Sequence, residues 1–410
     1  MLQSTHNDTR VVILGGARTP MTEWVGGKRG DGESGGALKD VSALELGAVA
    51  AKGALAKTGV PADRIEHVIM GNALQTSGDA LYGARHVGLK AGVPIRVPAL
   101  TVNRLCGSGI QSLINGAHII GEGYGYVLAG GMENMSQAPH VIRGARTGFK
   151  LGQGHMEDML LVALKDSYCG LLMAQTAENL AKRLGISREA QDEYALRSTH
   201  LGEKAATGGA FKEEIVPVEI KRGPKTVVVD RDDHFFINAN MDGLAKLKPA
   251  FGEDGTVTAG NASGMVDGAA CVVLASADAA KRDGLTPVAE IVAWHVVGVE
   301  PAEMGIGPAP AIRGLLEKTR LSLQDIDLFE INEAFAAQYL AVEKDLGLDR
   351  ERVNVNGGAI ALGHPLGATG TRLVLTLGRE LAARKKKYGI ASACIGGGQG
   401  IAMLIKRWEG

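Results

Sequence analysis

The sequence predicts an α/β fold made of two related halves, and three observations carry that prediction. Two segments align without gaps at a constant offset of 261 residues, Lys57 falling on Lys318. Short apolar runs such as Val11-Val12-Ile13-Leu14, Val68-Ile69-Met70 and Val127-Leu128-Ala129 read as strands buried between helices. Glycine is frequent at 58 residues and aromatics are scarce at 4%, which suits tight turns and close backbone packing.

The first copy of the repeat runs from Ala51 to Thr58 and on through Arg64-Ile65-Glu66-His67-Val68. The second runs from Ile312 to Thr319 and on from Asp325 to Phe329. Gly53 meets Gly314, Leu55 meets Leu316, Thr58 meets Thr319 and Ile65 meets Ile326. Each copy reads as a helix, a loop and a buried strand. Next in the chain, Val97 to Val102 is a short β-branched run, and Ile110, Leu113, Ile114, Ala117 and Ile120 recur at helical spacing. The turn between them holds Cys106. The same offset lays Asn103 on His364, Leu105 on Leu366, Ser108 on Thr369 and Gly109 on Gly370. The halves are residues 10–135 and 285–410. Two unrelated helix–strand units are the competing explanation, and one offset persisting across both regions argues against it.

Residues 136–284 differ from both halves and read as an inserted loop domain with a return to the first half. A helix is expected over Thr176–Leu184 and another over Ser187–Leu201. The second is opened by an imperfect capping box, with Glu189 in its first turn. Lys225 to Asp230 reads as a strand. The pattern allows a lid, a cofactor-facing insertion or a plain structural one. Residues 1–9 read as a disordered tail.

Composition narrows the function. A net charge of −1 argues against a dedicated nucleic-acid binder, and Arg384-Lys385-Lys386-Lys387 reads as the solvated end of a helix. The four cysteines, Cys106, Cys169, Cys271 and Cys394, show no C-x-x-C spacing and no disulfide framework, so no metal site is expected. No apolar stretch is long enough to span a bilayer, and the first ten residues do not form a signal peptide. A soluble, cytoplasmic, reducing setting is expected, which keeps Cys106 a thiol.

Four turns carry candidate chemistry. Cys106 lies at the mouth of a helix among glycines, where free N–H groups and the helix dipole favour a thiolate. A small buried cysteine is the alternative. Asn332-Glu333-Ala334-Phe335-Ala336 follows the apolar run Ile326–Ile331; Asn332 is a site candidate or a helix cap. His364 is held between Gly363 and Pro365. Cys394-Ile395-Gly396-Gly397-Gly398 ends in glycines whose N–H groups can face a ligand atom. None of these is a dinucleotide or Walker motif.

Together these segments resemble the thiolases, the acyl-CoA:CoA acyltransferases that cleave or form 3-ketoacyl-CoA. The resemblance covers nearly the whole chain through Asn103–Gly109, Asn261-Ala262-Ser263-Gly264, Asn332–Ala336, Gly357–Gly370 and Cys394–Gly400. Within the family the likeness is to 3-ketoacyl-CoA thiolases of mitochondrial type and to acetyl-CoA acetyltransferases. It implies an αβαβα layered core, a homodimer or homotetramer, and no cofactor, coenzyme A being a substrate. It implies Cys106 as the acyl-accepting nucleophile and His364 as its thiolate partner and a thioester-oxygen ligand. Cys394 would be the acid/base at the α-carbon, and Asn332 would hold a water. The N–H groups of Cys106 and Gly396 would form an oxyanion hole. Ser263 would meet the pantetheine arm, and Met173 and Met304 would shape the thioester pocket, with core packing the alternative for both.

Two departures bear on specificity. Leu172-Met173-Ala174 stands where dedicated acetoacetyl-CoA thiolases carry His-Met-Gly, and Phe235-Phe236 stands where some relatives place an arginine on adenine. Two other readings compete. One is a decarboxylating ketosynthase, which resembles the thiolases in fold but lacks the second cysteine. The other is a non-enzymatic carrier, which would have lost part of the Cys106, His364, Asn332 and Cys394 set.

Overall fold

The computed structural model describes residues 9–24, 35–235, 238–252 and 254–410. The tail expected over 1–9 falls outside them apart from Thr9, as does Phe236. The first half contributes β1 (Val11–Arg18), α1 (Ala43–Thr58), β2 (His67–Gly71), α2 (Gly83–Lys90), β3 (Ala99–Val102), α3 (Ser108–Gly121) and β4 (Tyr126–Glu133). The inserted segment contributes α4 (Met173–Leu184) and α5 (Arg188–Thr207), then returns to the sheet as β5 (Val266–Ser276). The second half contributes β6 (Ala289–Gly298), α6 (Pro308–Thr319), β7 (Leu328–Ile331), α7 (Ala336–Leu346), α8 (Leu366–Ala383), β8 (Tyr388–Ile395) and β9 (Gln399–Arg407).

Local chemistry accounts for the ends of these elements. Ser42 caps α1 by accepting from Glu45 N at 3.2 Å, and the helix closes on Gly59 in the left-handed region. Its counterpart α6 closes on Arg320, which is 261 residues further on and is also left-handed at φ 58°. The repeat thus keeps its backbone where the glycine has been replaced, at a cost of roughly 1 kcal/mol. Ser187 caps α5 through Ala190 N at 3.1 Å, and the helix runs past Leu201 to Thr207. The expected strand at Lys225 pairs with Val218–Arg222 in a hairpin, and Arg384 to Lys387 are exposed after α8.

The main sheet has the order β7-β8-β9-β6-β1-β5-β4-β2-β3. It is symmetric about the β1–β6 pairing, where Val11, Val12 and Ile13 meet Ile291, Glu290 and Ala289. The apolar runs at Val11, Val68 and Val127 fit buried strands of parallel β-α-β units. Among the described strands of the main sheet, only β2–β3, β2–β4 and β7–β8 pair in parallel. The last strand of each half arrives differently: β9 by hairpin from β8, β5 from the inserted segment, and both run antiparallel.

Three apolar clusters make five layers. Leu44, Leu46 and Ala54 of α1 and Val87 of α2 pack on one face of the first half-sheet. Ile110 and Leu113 of α3 join Leu373, Val374 and Leu377 of α8 between the half-sheets, touching Ala129 of β4 and Ala391 of β8. Ile312 and Leu315 of α6 and Leu340 and Val342 of α7 cover the outer face of the second. The two central helices cross at Gly109 and Gly370, counterparts in the repeat. A methyl at Gly109 would lie 2.4 Å from Thr371 N, and one at Gly370 2.4 Å from Ile110 N. Only glycine permits that approach, and it brings the N-terminal turns of both helices to one place.

The inserted segment is tied to the sheet by a buried cation. Arg18 donates from Nε to Glu214 at 3.0 Å and from Nη1 and Nη2 to Asp232 at 2.7 and 2.8 Å. Among the described residues, no helix is long and apolar enough to cross a membrane.

Candidate active site

Cys106 lies in a 3-10 turn (Leu105–Gly107) between β3 and α3. Leu105 is in the left-handed region at φ 46°, a conformation that costs on the order of 1–2 kcal/mol for a residue with a Cβ. Side chains hold it there. Asn103 Oδ1 accepts from Leu105 N at 2.9 Å, and Ser108 Oγ donates to Leu105 O at 2.7 Å. Arg104 reaches from this turn to Gln399 Oε1 at 2.9 Å, clamping it to the turn between β8 and β9. That second turn bears Gly396, and Gly397 and Gly398 both adopt φ near +80°, which glycine tolerates without strain.

Cys394, on β8, is fully buried with Met304 and Ala334, and Met173 and Phe335 pack against them. Its thiol is pushed well above the ordinary range by burial, and a charge on nearby Cys106 raises it further. Cys106 keeps partial exposure. Burial nevertheless raises its thiol to about 11, against the N–H groups of Gly396 and of Cys106 itself, which favour the anion. This corrects the expectation of a thiol lowered by the helix start. Desolvation outweighs these N–H groups, so the free protein holds a thiol, and ionisation must accompany substrate binding or proton transfer.

His364 precedes α8 and is buried. Its Nδ1 contacts Thr369 Oγ1 at 2.6 Å, and that hydroxyl donates to Pro365 O at 3.0 Å. Nδ1 therefore carries the proton, and the bare Nε2 accepts from Asn332 Nδ2 at 3.3 Å. Burial, reinforced by Arg372, lowers the imidazole to about 3, so it is neutral. A stability prediction follows. The unfolded chain protonates this ring near 6.5 and the folded chain only near 3. Stability falls as pH drops through 6.5 toward 3, by about 1.4 kcal/mol per pH unit for this proton. His364→Gln is expected to lose thermal stability less steeply than wild type across that window; parallel acid profiles would contradict the neutral assignment.

Asn332 is not a helix cap, since α7 starts four residues later with Phe335 at its N-cap. Its Oδ1 is buried without a partner among the described residues, an acceptor left for a water or ligand. Asn332 N bonds Ser392 O at 2.9 Å, which fixes it beside the strand of Cys394. Cys106, Cys394, Gly396, Met173 and Met304 thus converge, as do His364 and Asn332. Ser263 stands next to them: its N donates to Ala334 O at 3.0 Å, and Gly264 O accepts from His364 N at 2.9 Å.

The inserted segment covers this centre. Leu160, Ala163 and Leu164 share an apolar cluster with Cys106, Met265 and Leu366, and Met173 begins α4. Sequence reasoning missed Thr369, Arg104, Glu133 and Glu333. Glu333 is buried and accepts from Ser198 Oγ, Tyr194 OH, Asn354 Nδ2 and Ile360 N at 2.6 to 3.1 Å, anchoring the loop that leads to His364. Burial raises Glu133 to about 7, although several N–H groups pull it down. A carboxylate closing a fully buried strand was the signal that such partners exist.

The chain is similar to known proteins over nearly its whole length. Residues 11–278 match the family model "Thiolase, N-terminal domain", and residues 285–407 match "Thiolase, C-terminal domain". The chain is 51% identical to the mitochondrial 3-ketoacyl-CoA thiolase of Homo sapiens, covering 97% of this chain and 98% of that protein. It is 48% identical to an acetyl-CoA acetyltransferase of Cupriavidus necator, covering 97% and 100%. The crystal structure of human mitochondrial 3-ketoacyl-CoA thiolase in complex with CoA superposes with a TM-score of 0.92 at 50% identity, covering 98% of both chains.

Proposed function

The chain belongs to the thiolase family, and from that premise we propose that it catalyses reversible cleavage of 3-ketoacyl-CoA by CoA, acetoacetyl-CoA included. The observation that carries this reading is the pair of thiols, one from each half, meeting beside the Gly396 turn. In cleavage, Cys106 gives its proton to His364 Nε2, and its sulfur attacks the 3-keto carbon. The bond between the keto carbon and the α-carbon breaks. The acetyl-CoA enolate takes a proton from Cys394, leaving that sulfur as the thiolate. Free CoA gives its thiol proton to Cys394, and its sulfur displaces the shortened acyl group from Cys106, whose departing sulfur takes back the proton held on His364 Nε2. Synthesis reverses these steps.

The N–H groups of Cys106 and Gly396 are the donors for the tetrahedral oxyanion; losing one such donor costs roughly 3 kcal/mol of transition-state stabilisation. Asn332, through a water, and His364 polarise the thioester oxygen as the enolate forms. Ser263 meets the pantetheine arm, and Met173 and Met304 wall the thioester pocket. Coenzyme A is a substrate, and no resident cofactor enters this reading.

We read the assembly as a homodimer or homotetramer. Among the described residues the edge strand β3 is bonded only through β2, and Leu100, Ile95 and Tyr82 are exposed near it, which supports pairing of two copies. Exposed Ile142, Phe149, Leu151 and Met156 on and between the strands His140–Ile142 and Met156–Asp158 support a second contact. The compartment is read as a reducing one, the cytoplasm, because four unpaired cysteines include both reactive thiols; the human relative is named as mitochondrial. A role in fatty-acid β-oxidation accords with the 3-ketoacyl-CoA relatives.

Initial rates with CoA and 3-ketoacyl-CoA substrates of several lengths test this reading. Parallel double-reciprocal lines and release of acetyl-CoA are expected. No acetyl-CoA from any length, with carbon dioxide released from malonyl-CoA instead, would favour the ketosynthase reading.

A further inference from the structure

Glu133 ends β4 with no exposure, yet both carboxylate oxygens are fully engaged. Oε1 accepts from Leu74 N at 2.9 Å and Asn72 Nδ2 at 2.8 Å. Oε2 accepts from Ala73 N at 3.0 Å and Gly367 N at 2.9 Å. All four partners donate, so the geometry fits the ionised form.

Two of these bonds lead to opposite sides of the reaction centre. Gly367 lies in the first turn of α8, whose N-cap, Pro365, supplies no capping side chain. The carboxylate from the other half satisfies one of that helix's free N–H groups and its positive end. That helix carries Thr369, which fixes the tautomer of His364. On the other side, Ala73 O accepts from Asn103 Nδ2 at 3.2 Å, and Asn103 Oδ1 accepts from the N–H of strained Leu105, which adjoins Cys106.

We propose that Glu133 is a positioning residue that holds the Cys106 turn and the His364 turn in register by binding both through short hydrogen-bonded arms. The inference rests on the thiolase reading of the site. Glu133 sets where the nucleophile and its base stand without touching substrate. A misplacement of about 1 Å at such a centre costs about 100-fold in rate. Its charge also reaches Cys106 and disfavours the thiolate, which gives the proposal a second readout of opposite sign.

The test compares wild type, Glu133→Gln and Asn103→Ala in thiolysis of acetoacetyl-CoA, per folded site, together with the rate of Cys106 alkylation by iodoacetamide. Glu133→Gln places an amide N–H against donors and removes the charge. Asn103→Ala cuts only the Cys106 arm, and Asn103 is exposed, so the fold is not at stake. Expected are a kcat lower by about 10- to 100-fold in both variants, little change in KM, and faster alkylation in Glu133→Gln. Wild-type kcat in either variant overturns the proposal. If Glu133→Gln does not fold, Asn103→Ala alone decides. If wild type itself releases no acetyl-CoA, the thiolase reading fails instead. Alkylation then decides the inference: a changed rate in both Glu133→Gln and Asn103→Ala, the latter with the charge left in place, upholds it, and a wild-type rate in either overturns it.

Discussion

Cys106→Ala is expected to fold normally and to transfer no acyl group, with kcat reduced by at least about 10⁴-fold. The turn around Cys106 does not depend on the sulfur. Leu105 is held by Asn103 and Ser108, Arg104 is anchored on Gln399, and α3 buries Ile110, Leu113 and Ile114 in the central layer. Removing a partly exposed thiol therefore leaves the turn intact and deletes only the nucleophile. The oxyanion donors at Gly396 and position 106 stay in place, so CoA thioesters should still bind. The thermal unfolding profile and the rate of acetoacetyl-CoA thiolysis check both halves of the statement. Turnover near the wild-type rate would remove Cys106 from the chemistry.

Cys394→Ala is expected to be acylated at Cys106 by acetyl-CoA but to lose net turnover by about 10²- to 10⁴-fold, the range for a lost acid/base. Two buried cysteines can be compared. Cys271 and Cys394 are both fully buried and both have thiols raised by burial. Cys271 sits within β5, with its Sγ against Ala129 O at 3.3 Å and no tie to Cys106. Cys394 lies close enough to Cys106 to be coupled to its charge, with Met173 and Met304 around it. Burial alone does not distinguish an acid/base from a structural thiol; placement does. The substitution leaves a small void and costs on the order of 1–2 kcal/mol of stability, which a melt can separate from the catalytic loss. An enzyme that is not acylated at Cys106 would count against the division of labour.

Much of this centre is legible in the sequence because the repeat is. Laying Asn103 on His364 and Gly109 on Gly370 picks out two turns, and the structure joins them where α3 and α8 cross at those glycines. The caps at Ser42 and Ser187 are likewise local and readable. The protonation states are not. A helix start favours a thiolate, but how far the inserted segment desolvates Cys106 depends on Leu160, Ala163 and Leu164, which are distant in the chain. The antiparallel course of β5 also follows from the route of the insertion, which no local pattern encodes. Glu133 was passed over for a related reason: its four partners come from the loop after β2 and from the first turn of α8.

The central claim is that Cys106 carries the acyl group while Cys394 moves the α-proton. Deuterium exchange into acetyl-CoA by Cys394→Ala in heavy water tests it most directly, with wild type as reference. Wild type is expected to exchange the methyl protons of acetyl-CoA, and the variant to exchange none above the uncatalysed rate while its Cys106 becomes acetylated. Exchange at the wild-type rate in the variant would contradict the account and assign the proton transfer to another group.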